Sequence, residues 1–206
     1  TMRLSLRKSQ HESNSTKDTH AALRHKMVHE QIQNRGIHNP HVLEVMRKVP
    51  RHQFVEPAFL GQAYEDRALP IDCNQTISQP YIVALMTELL KLEPASKVLE
   101  IGTGCGYQTA VLAEMVEQVY SVEIIENLAE DARKQLDTLD YQNIHLSIGN
   151  GYCGWTQHAP YDGIIVSAAP KETPHRLIEQ LADGGRLVLP IGGLEQELIL
   201  IQKTQR

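Results

Sequence analysis

The sequence has no long apolar run, no excess of positive charge and few cysteines, and each shortage excludes a class of protein. No stretch approaches the roughly 20 consecutive apolar residues that a membrane-spanning helix needs. The basic start, Thr1 to Lys8, is not followed by the apolar region and cleavage site of a secretory signal. Lys and Arg number 20 against 25 Asp and Glu, for a formal net charge of −5. A mildly acidic chain lacks the positive field that non-specific nucleic-acid binding uses. The cysteines, Cys73, Cys105 and Cys153, are odd in number, widely spaced and form no C-x-x-C pair. This argues against a disulfide framework or a zinc site and for a reducing compartment, with the cytoplasm as the default.

What is present suits one α/β domain. Over 206 residues, 41% are hydrophobic and 22% charged, enough for a sizeable core. Residues 1–19 are polar and Ser/Lys-rich, and are expected to form a mobile arm. A helix is predicted over Ala21–Arg35, with Leu23, Met27 and Ile32 as its apolar side and Gly36 as its stop. Asn39-Pro40 opens a second helix carrying Val42, Leu43, Val45 and Met46, which ends before Pro50. Arg51 to Gln79 reads as a loop-rich approach to a site. A third helix follows Pro80, through Val83, Leu85, Met86, Leu89 and Leu90.

From Lys97 the pattern changes. Short apolar strands are predicted at Lys97–Ile101, Gln118–Ile124, Ile144–Ile148, Asp162–Ser167, Arg186–Pro190 and Glu197–Gln202. Helices fall between them at Tyr107–Met115, Asn127–Leu139 and Pro174–Leu181. Such alternation implies a parallel sheet with helices on both faces and right-handed crossovers. Ligands in such sheets bind beyond the carboxyl ends of the strands.

The strongest local signal is the run Val98-Leu99-Glu100-Ile101-Gly102-Thr103-Gly104-Cys105-Gly106, a buried strand ending in a glycine turn that feeds a helix. Glycines let the backbone turn tightly and let a ligand approach with no Cβ in the way. The spacing is GxGxG, not the GxGxxG of dinucleotide folds, which disfavours an NAD-dependent oxidoreductase. Taken alone, the turn is weak evidence, since a plain tight bend is the alternative reading. Glu123 ends the next strand, where a carboxylate can accept from both ribose hydroxyls, and Gly149-Asn150-Gly151 ends the third, placed to meet a purine edge. Suitable chemistry at successive strand ends points to a nucleoside-binding sheet.

Other residues carry weaker signals. Cys105 reads as a small side chain in the turn and not as a nucleophile. His25 and His29 are one helical turn apart but have no third ligand nearby, so no metal is called for. Asp66 and Arg67 suit either a clamp on a substrate backbone or an ordinary surface ion pair. Tyr152 and Trp155 suit either the purine or the core. Ser78, shortly before Pro80, suits a helix N-cap. It lies in T-I-S-Q-P and not in a G-x-S-x-G elbow, which argues against a serine hydrolase.

From about Ala22 onward the sequence resembles the protein-L-isoaspartate O-methyltransferase family of the bacterial kind. The matching segments are VPRHQFV at 49–55, AYEDRALPI at 63–71 and QTISQP at 75–80. They continue with EIGTGCGYQT at 100–109, DGIIVSAAP at 162–170 and GGRLVLPIG at 184–192. The glycine turn is common to many methyltransferases; the QTISQP segment before it is specific to this family. A different methyltransferase on the same scaffold would have no need of that segment, and a non-catalytic sensor of nucleoside or isoaspartyl sites is the alternative from another class.

The resemblance implies an α/β, Rossmann-like fold with an N-terminal helical cap, the cap and substrate loop in 20–96 and the nucleotide-binding sheet in 97–206. It implies methyl transfer from S-adenosyl-L-methionine to the α-carboxyl of L-isoaspartyl residues in damaged proteins, leaving S-adenosyl-L-homocysteine. The methyl ester then closes to a succinimide without enzyme help. By position, Ser78 is the active-site residue. Thr76, Ile77, Glu100, Gly102, Gly104, Glu123, Asn150 and Gly151 are assigned to the cofactor. Ile71, Thr76, Ile77, Ser78, Ala169 and Pro170 are assigned to the substrate. The expected partners are isoaspartyl proteins and peptides, with no nucleic acid or membrane, and the expected state is a monomer. Three departures stand out. Asn150 replaces a usual aspartate, Asp72-Cys73-Asn74 replaces a glycine-rich turn, and the family pattern continues past the strand at Glu197–Gln202 into a further strand that this sequence is expected to lack.

Overall fold

A computed structural model describes residues 20–167, 174–192 and 196–204. The expected arm at 1–19 lies outside the described residues. Helix α1, Ala21–Met27, continues into a π-helical turn at Val28–Ile32 and a 3-10 turn at Gln33–Arg35, ending at Gly36 with φ 102°. The span matches the expectation, but the winding does not. Met27 and Ile32 stand five residues apart, which about 3.6 residues per turn would place on different faces. One widened turn brings both inward along with Val28, while Leu23, expected in the core, is 51% exposed.

Helix α2, Pro40–Lys48, starts at Asn39, whose Oδ1 accepts from the N–H groups of His41 and Val42 at 3.0 and 3.2 Å. Its buried residues are the expected Val42, Leu43, Val45 and Met46. Glu88, in helix α3 (Pro80–Leu90), accepts from the N–H groups of His38 and Asn39, fastening the two helices together.

The segment read as loop-rich contains a hairpin. Strand β1, Leu69–Ile71, pairs antiparallel with β2, Gln75–Ile77, around a turn in which Cys73 and Asn74 have φ 57°. Asparagine tolerates that conformation. Asp72 does not adopt it.

The main sheet has the order β5-β4-β3-β6-β7-β8. Its strands are β3 (Lys97–Ile101), β4 (Gln118–Glu123), β5 (Ile144–Ile148), β6 (Tyr161–Val166), β7 (Leu181–Gly192) and β8 (Gln196–Gln202). All neighbours are parallel except β7 and β8. The faces are unequal. Helices α1 to α3, α4 (Tyr107–Met115) and α5 (Glu126–Thr138) share one core with Val98, Val119, Ile165 and Val188. The opposite face, with Leu99, Ile101, Tyr120 and Ile164, is covered by the short helix α6 (His175–Glu179) and the segment around Trp155. Trp155 meets Tyr120 edge-on at 5.5 Å and so belongs to this second core. The order of strands reverses between β3 and β6, and the crevice expected of such sheets opens at their carboxyl ends.

Candidate active site

The turn after β3 holds Gly102, Gly104 and Gly106 at φ 92°, 54° and 87°. Gly104 matters most, because its N–H is drawn into the site. Glu123, at the end of β4 and 5% exposed, accepts from Gly104 N–H through Oε2 at 2.9 Å and from Ile125 N–H through Oε1 at 3.0 Å. A carboxylate has about four acceptor positions. Two of Glu123's are taken by these main-chain donors, which leaves capacity for a pair of ligand hydroxyls.

Glu100 lies beneath the turn with no exposed surface. Its Oε2 accepts from Thr109 and Ser121, both at 2.6 Å, and Thr103 joins through Ser121 at 2.6 Å. Oε1 has no hydrogen-bond partner among the described residues. Burial pushes this carboxyl up to about 7 despite the hydroxyl donors, and the nearby Glu123 charge pushes the same way. Glu100, which the resemblance assigns to the cofactor, has no exposed surface in this structure and braces β3 against α4 and β4 through Thr109 and Ser121.

The hairpin folds over the turn. Ile71 packs there, its Cδ1 3.7 Å from where a Cβ on Gly104 would stand. Thr76, Ile77 and Ser78 share a narrow cleft of about 40 Å³ with Gly102, Gly104 and Ser167. Ser167, whose N–H donates to Ile101 O at 2.9 Å, was not read from the sequence. It follows an unremarkable apolar strand, and only the crossing of β6 to the side of β3 brings it to the site. Ser78 does not cap α3. The cap position is Gln79, which makes no capping hydrogen bond. Cys105 is half-buried in the turn, and burial pushes its thiol up to about 11, unsuited to a nucleophile.

At the end of β5, Gly149 N–H donates to Glu123 O at 2.9 Å. Asn150 Oδ1 accepts from Tyr152 N–H at 3.0 Å and caps a 3-10 turn at Gly151–Cys153. Gly151 is pressed on Ile101: a Cβ there would fall 2.2 Å from Ile101 Cγ2. A residue with a Cβ fits here only if the Ile101 side chain moves. Tyr152, beside this turn, is 51% exposed. Ala169 and Pro170 lie outside the described residues.

The residues brought together are thus Ile71, Thr76, Ile77 and Ser78 above, with Gly102, Gly104 and Glu123 below. Asn150 and Gly151 sit at the neighbouring strand end. A carboxylate with spare acceptor positions, a backbone turn without side chains and an amide at the third strand end form a donor and acceptor set that fits a nucleoside with an extended polar tail. Among the described residues no helix is long and apolar enough to cross a membrane.

Comparison with known proteins gives a consistent result. The family model of protein-L-isoaspartate(D-aspartate) O-methyltransferase matches residues 22–206. A protein-L-isoaspartate O-methyltransferase of a Picosynechococcus species is 54% identical over 187 residues, covering 91% of this chain and 84% of that protein. The one from Pseudomonas aeruginosa is 54% identical over 178 residues, covering 85% and 84%. Among solved structures, a protein-L-isoaspartate O-methyltransferase superposes with a TM-score of 0.80 at 31% identity, over 88% of this chain and 60% of that longer one. A Plasmodium falciparum protein, described as a candidate protein-L-isoaspartate O-methyltransferase and solved with S-adenosyl-L-homocysteine, gives 0.76 at 26% identity, over 88% and 90%.

Proposed function

This chain belongs to the protein-L-isoaspartate(D-aspartate) O-methyltransferase family, and from that premise we propose the assignment of its parts. The enzyme methylates the α-carboxyl of L-isoaspartyl residues in damaged proteins, with S-adenosylmethionine as cofactor. When bound, that cofactor supplies an electrophilic methyl group on a sulfonium centre.

The chain's own residues then have distinct tasks. Glu123 accepts from the ribose hydroxyls with its remaining lone pairs, while its bonds to Gly104 and Ile125 hold it in place. Gly102 and Gly104 give a bare backbone against the methionine portion. Asn150 presents its amide to the adenine, with Gly151 keeping the strand end close to β3. Thr76 and Ile77 wall the cleft on the substrate side and Ile71 backs them, while Ala169 and Pro170 are assigned to the substrate by the resemblance alone.

Ser78 is proposed to donate its hydroxyl to one oxygen of the substrate carboxylate. An α-carboxyl has a reference pKa of roughly 3.3–3.7, so near neutral pH it is an ionised nucleophile and no general base is needed. The remaining work is alignment of oxygen, methyl carbon and sulfur and exclusion of water. Alignment of this kind can be worth up to about 7–11 kcal/mol. The hairpin over the glycine turn suits that work.

We further infer a monomeric, cytoplasmic enzyme acting on proteins and peptides, with 20–96 serving as cap and substrate loop over the sheet of 97–206. The free cysteines and the net charge of −5 support this reading. The observation that carries the assignment is the cleft shared by Thr76–Ser78 and Gly102–Gly104. The test is a radiolabelled methyl-transfer assay on an isoaspartyl peptide and its normal aspartyl twin. Label in the isoaspartyl peptide alone is expected; equal labelling of both, or of neither, would reject the assignment.

A further inference from the structure

The hairpin that carries the upper wall of the site is too small to hold its own shape. Each strand has three residues, and an isolated two-stranded hairpin is marginal in water. Its inner end packs through Ile71 on the glycine turn. Its open base, just outside the Leu69↔Ile77 pair, is closed by side chains.

Gln79 Nε2 donates to Asp66 Oδ1 at 2.7 Å and to Asp66 main-chain O at 3.2 Å, joining the chain entering the hairpin to the chain leaving it. Asp66 is itself clamped. Arg35 Nη1 donates to Oδ2 at 3.0 Å and to Oδ1 at 3.3 Å, and the guanidinium lies 3.8 Å from the centre of the Tyr81 ring in α3. Arg67 does not compete for Asp66, since it pairs with Glu65 at 2.8 Å and with Gln62. The sequence left Asp66 open between a substrate clamp and an ion pair with Arg67. The structure gives it a different set of partners. Arg35 ends the first helical run, Tyr81 lies in the first turn of α3 and Gln79 follows Ser78 directly, so the Asp66 carboxylate ties the helical cap to the loop bearing the active-site hydroxyl.

We propose that Asp66 is a positioning residue for methyl transfer: through Gln79 it fixes where Ser78 stands above the glycine turn. The proposal rests on the function assigned above. Asp66 and Arg35 are both 42% exposed, so their ion pair contributes little to global stability. Its effect falls on placement, where an error of about 1 Å can cost about 100-fold in rate.

The experiment compares Asp66→Ala, Gln79→Ala, the double variant and Asp66→Asn with the unaltered chain. Asp66→Ala and Gln79→Ala are each expected to lower kcat by about 10-fold or more, with KM for S-adenosylmethionine within about twofold. The double variant should be no worse than the poorer single one, and Asp66→Asn, which keeps an acceptor oxygen, should recover most of the loss. Multiplying losses, or no recovery with asparagine, would overturn the proposal. Hydrogen exchange is the second readout and needs no turnover. Asp66→Ala should speed exchange of the amides at 69–77 while those of β3 and β4 stay unchanged, and unaltered exchange at 69–77 would overturn the proposal on its own. If the unaltered chain fails to methylate isoaspartyl peptide while exchange responds as stated, the placement by Asp66 stands and the assigned function falls.

Discussion

Glu123 at the end of β4 and Gly104 in the turn after β3 are joined by a hydrogen bond of 2.9 Å between a carboxylate oxygen and a main-chain N–H. The bond ties two adjacent strand ends and occupies one of the carboxylate's acceptor positions. Glu123→Gln replaces one acceptor with a donor, so the side chain can no longer satisfy both Gly104 and Ile125 N–H groups and also accept from a ribose. Hydrogen bonds to charged groups contribute about 1.5–3 kcal/mol. Calorimetry with S-adenosyl-L-homocysteine is therefore expected to show about 10- to 100-fold weaker binding. Unchanged affinity would place the ribose elsewhere.

Asn150 gives a change in the opposite direction. Its Oδ1 already accepts from Tyr152 N–H, leaving an amide nitrogen where an aspartate would carry a second, charged oxygen. Asn and Asp are comparable N-caps, so Asn150→Asp should leave the turn at Gly151–Cys153 intact. Charge-assisted hydrogen bonds are roughly twice as strong as neutral ones. Binding of S-adenosyl-L-homocysteine to Asn150→Asp should tighten by about 3- to 10-fold; a loss of affinity would show that the adenine amino group does not face this position.

How far the site was legible depended on where its signals lay. The glycine turn, Glu123 and Asn150-Gly151 each end an apolar strand, so the chain itself marks them. Those strands were read at Lys97–Ile101 and Ile144–Ile148 with the observed bounds. The hairpin was not legible from periodicity. Its strands are too short to show alternation, and Leu69 finds Ile77 only across a left-handed turn. The QTISQP resemblance, not a pattern of hydrophobicity, drew attention to it. Ser167 and the Asp66–Gln79 bonds are products of topology, joining residues that no local rule brings together. The widened turn at Val28–Ile32 shows the same limit: periodicity alone predicts a regular helix through Met27 and Ile32, whereas packing selects the winding that buries both.

Glu100 predicts a pH dependence of stability. Its carboxyl is raised from an ordinary 4.5 to about 7 by burial. Between those values the folded chain keeps a proton that the unfolded chain has lost. Stability therefore falls as pH rises through this window, having been fully present below the lower value. One pK unit corresponds to about 1.4 kcal/mol. Urea unfolding of the unaltered chain and of Glu100→Gln should diverge from about pH 5 to about pH 8, the variant gaining about 2–3 kcal/mol relative to the unaltered chain. Parallel pH curves would mean that Glu100 titrates normally in the fold.

Ser78 offers the most direct test of the chemistry. It stands half-buried in the cleft with the glycine turn and is not the cap of α3, so removing its hydroxyl should leave the helix intact. If it donates to the substrate carboxylate, Ser78→Ala loses one oriented hydrogen bond at the reacting centre. Losses of this type in preorganised sites reach about 100- to 1,000-fold. Here the nucleophile is already ionised and the hydroxyl only places it, so a smaller fall in kcat, about 10- to 100-fold, is expected. Affinity for S-adenosyl-L-homocysteine should remain within about twofold, because the nucleoside contacts proposed above belong to Glu123 and Asn150 at the strand ends and not to Ser78. A covalent role for Ser78 predicts something different: complete loss in Ser78→Ala, and a mass increment on the enzyme when the unaltered chain is quenched during turnover. Intact-mass spectra free of such an adduct, with residual activity in the variant, are the outcome that positioning requires, and a trapped Ser78 adduct would reject it.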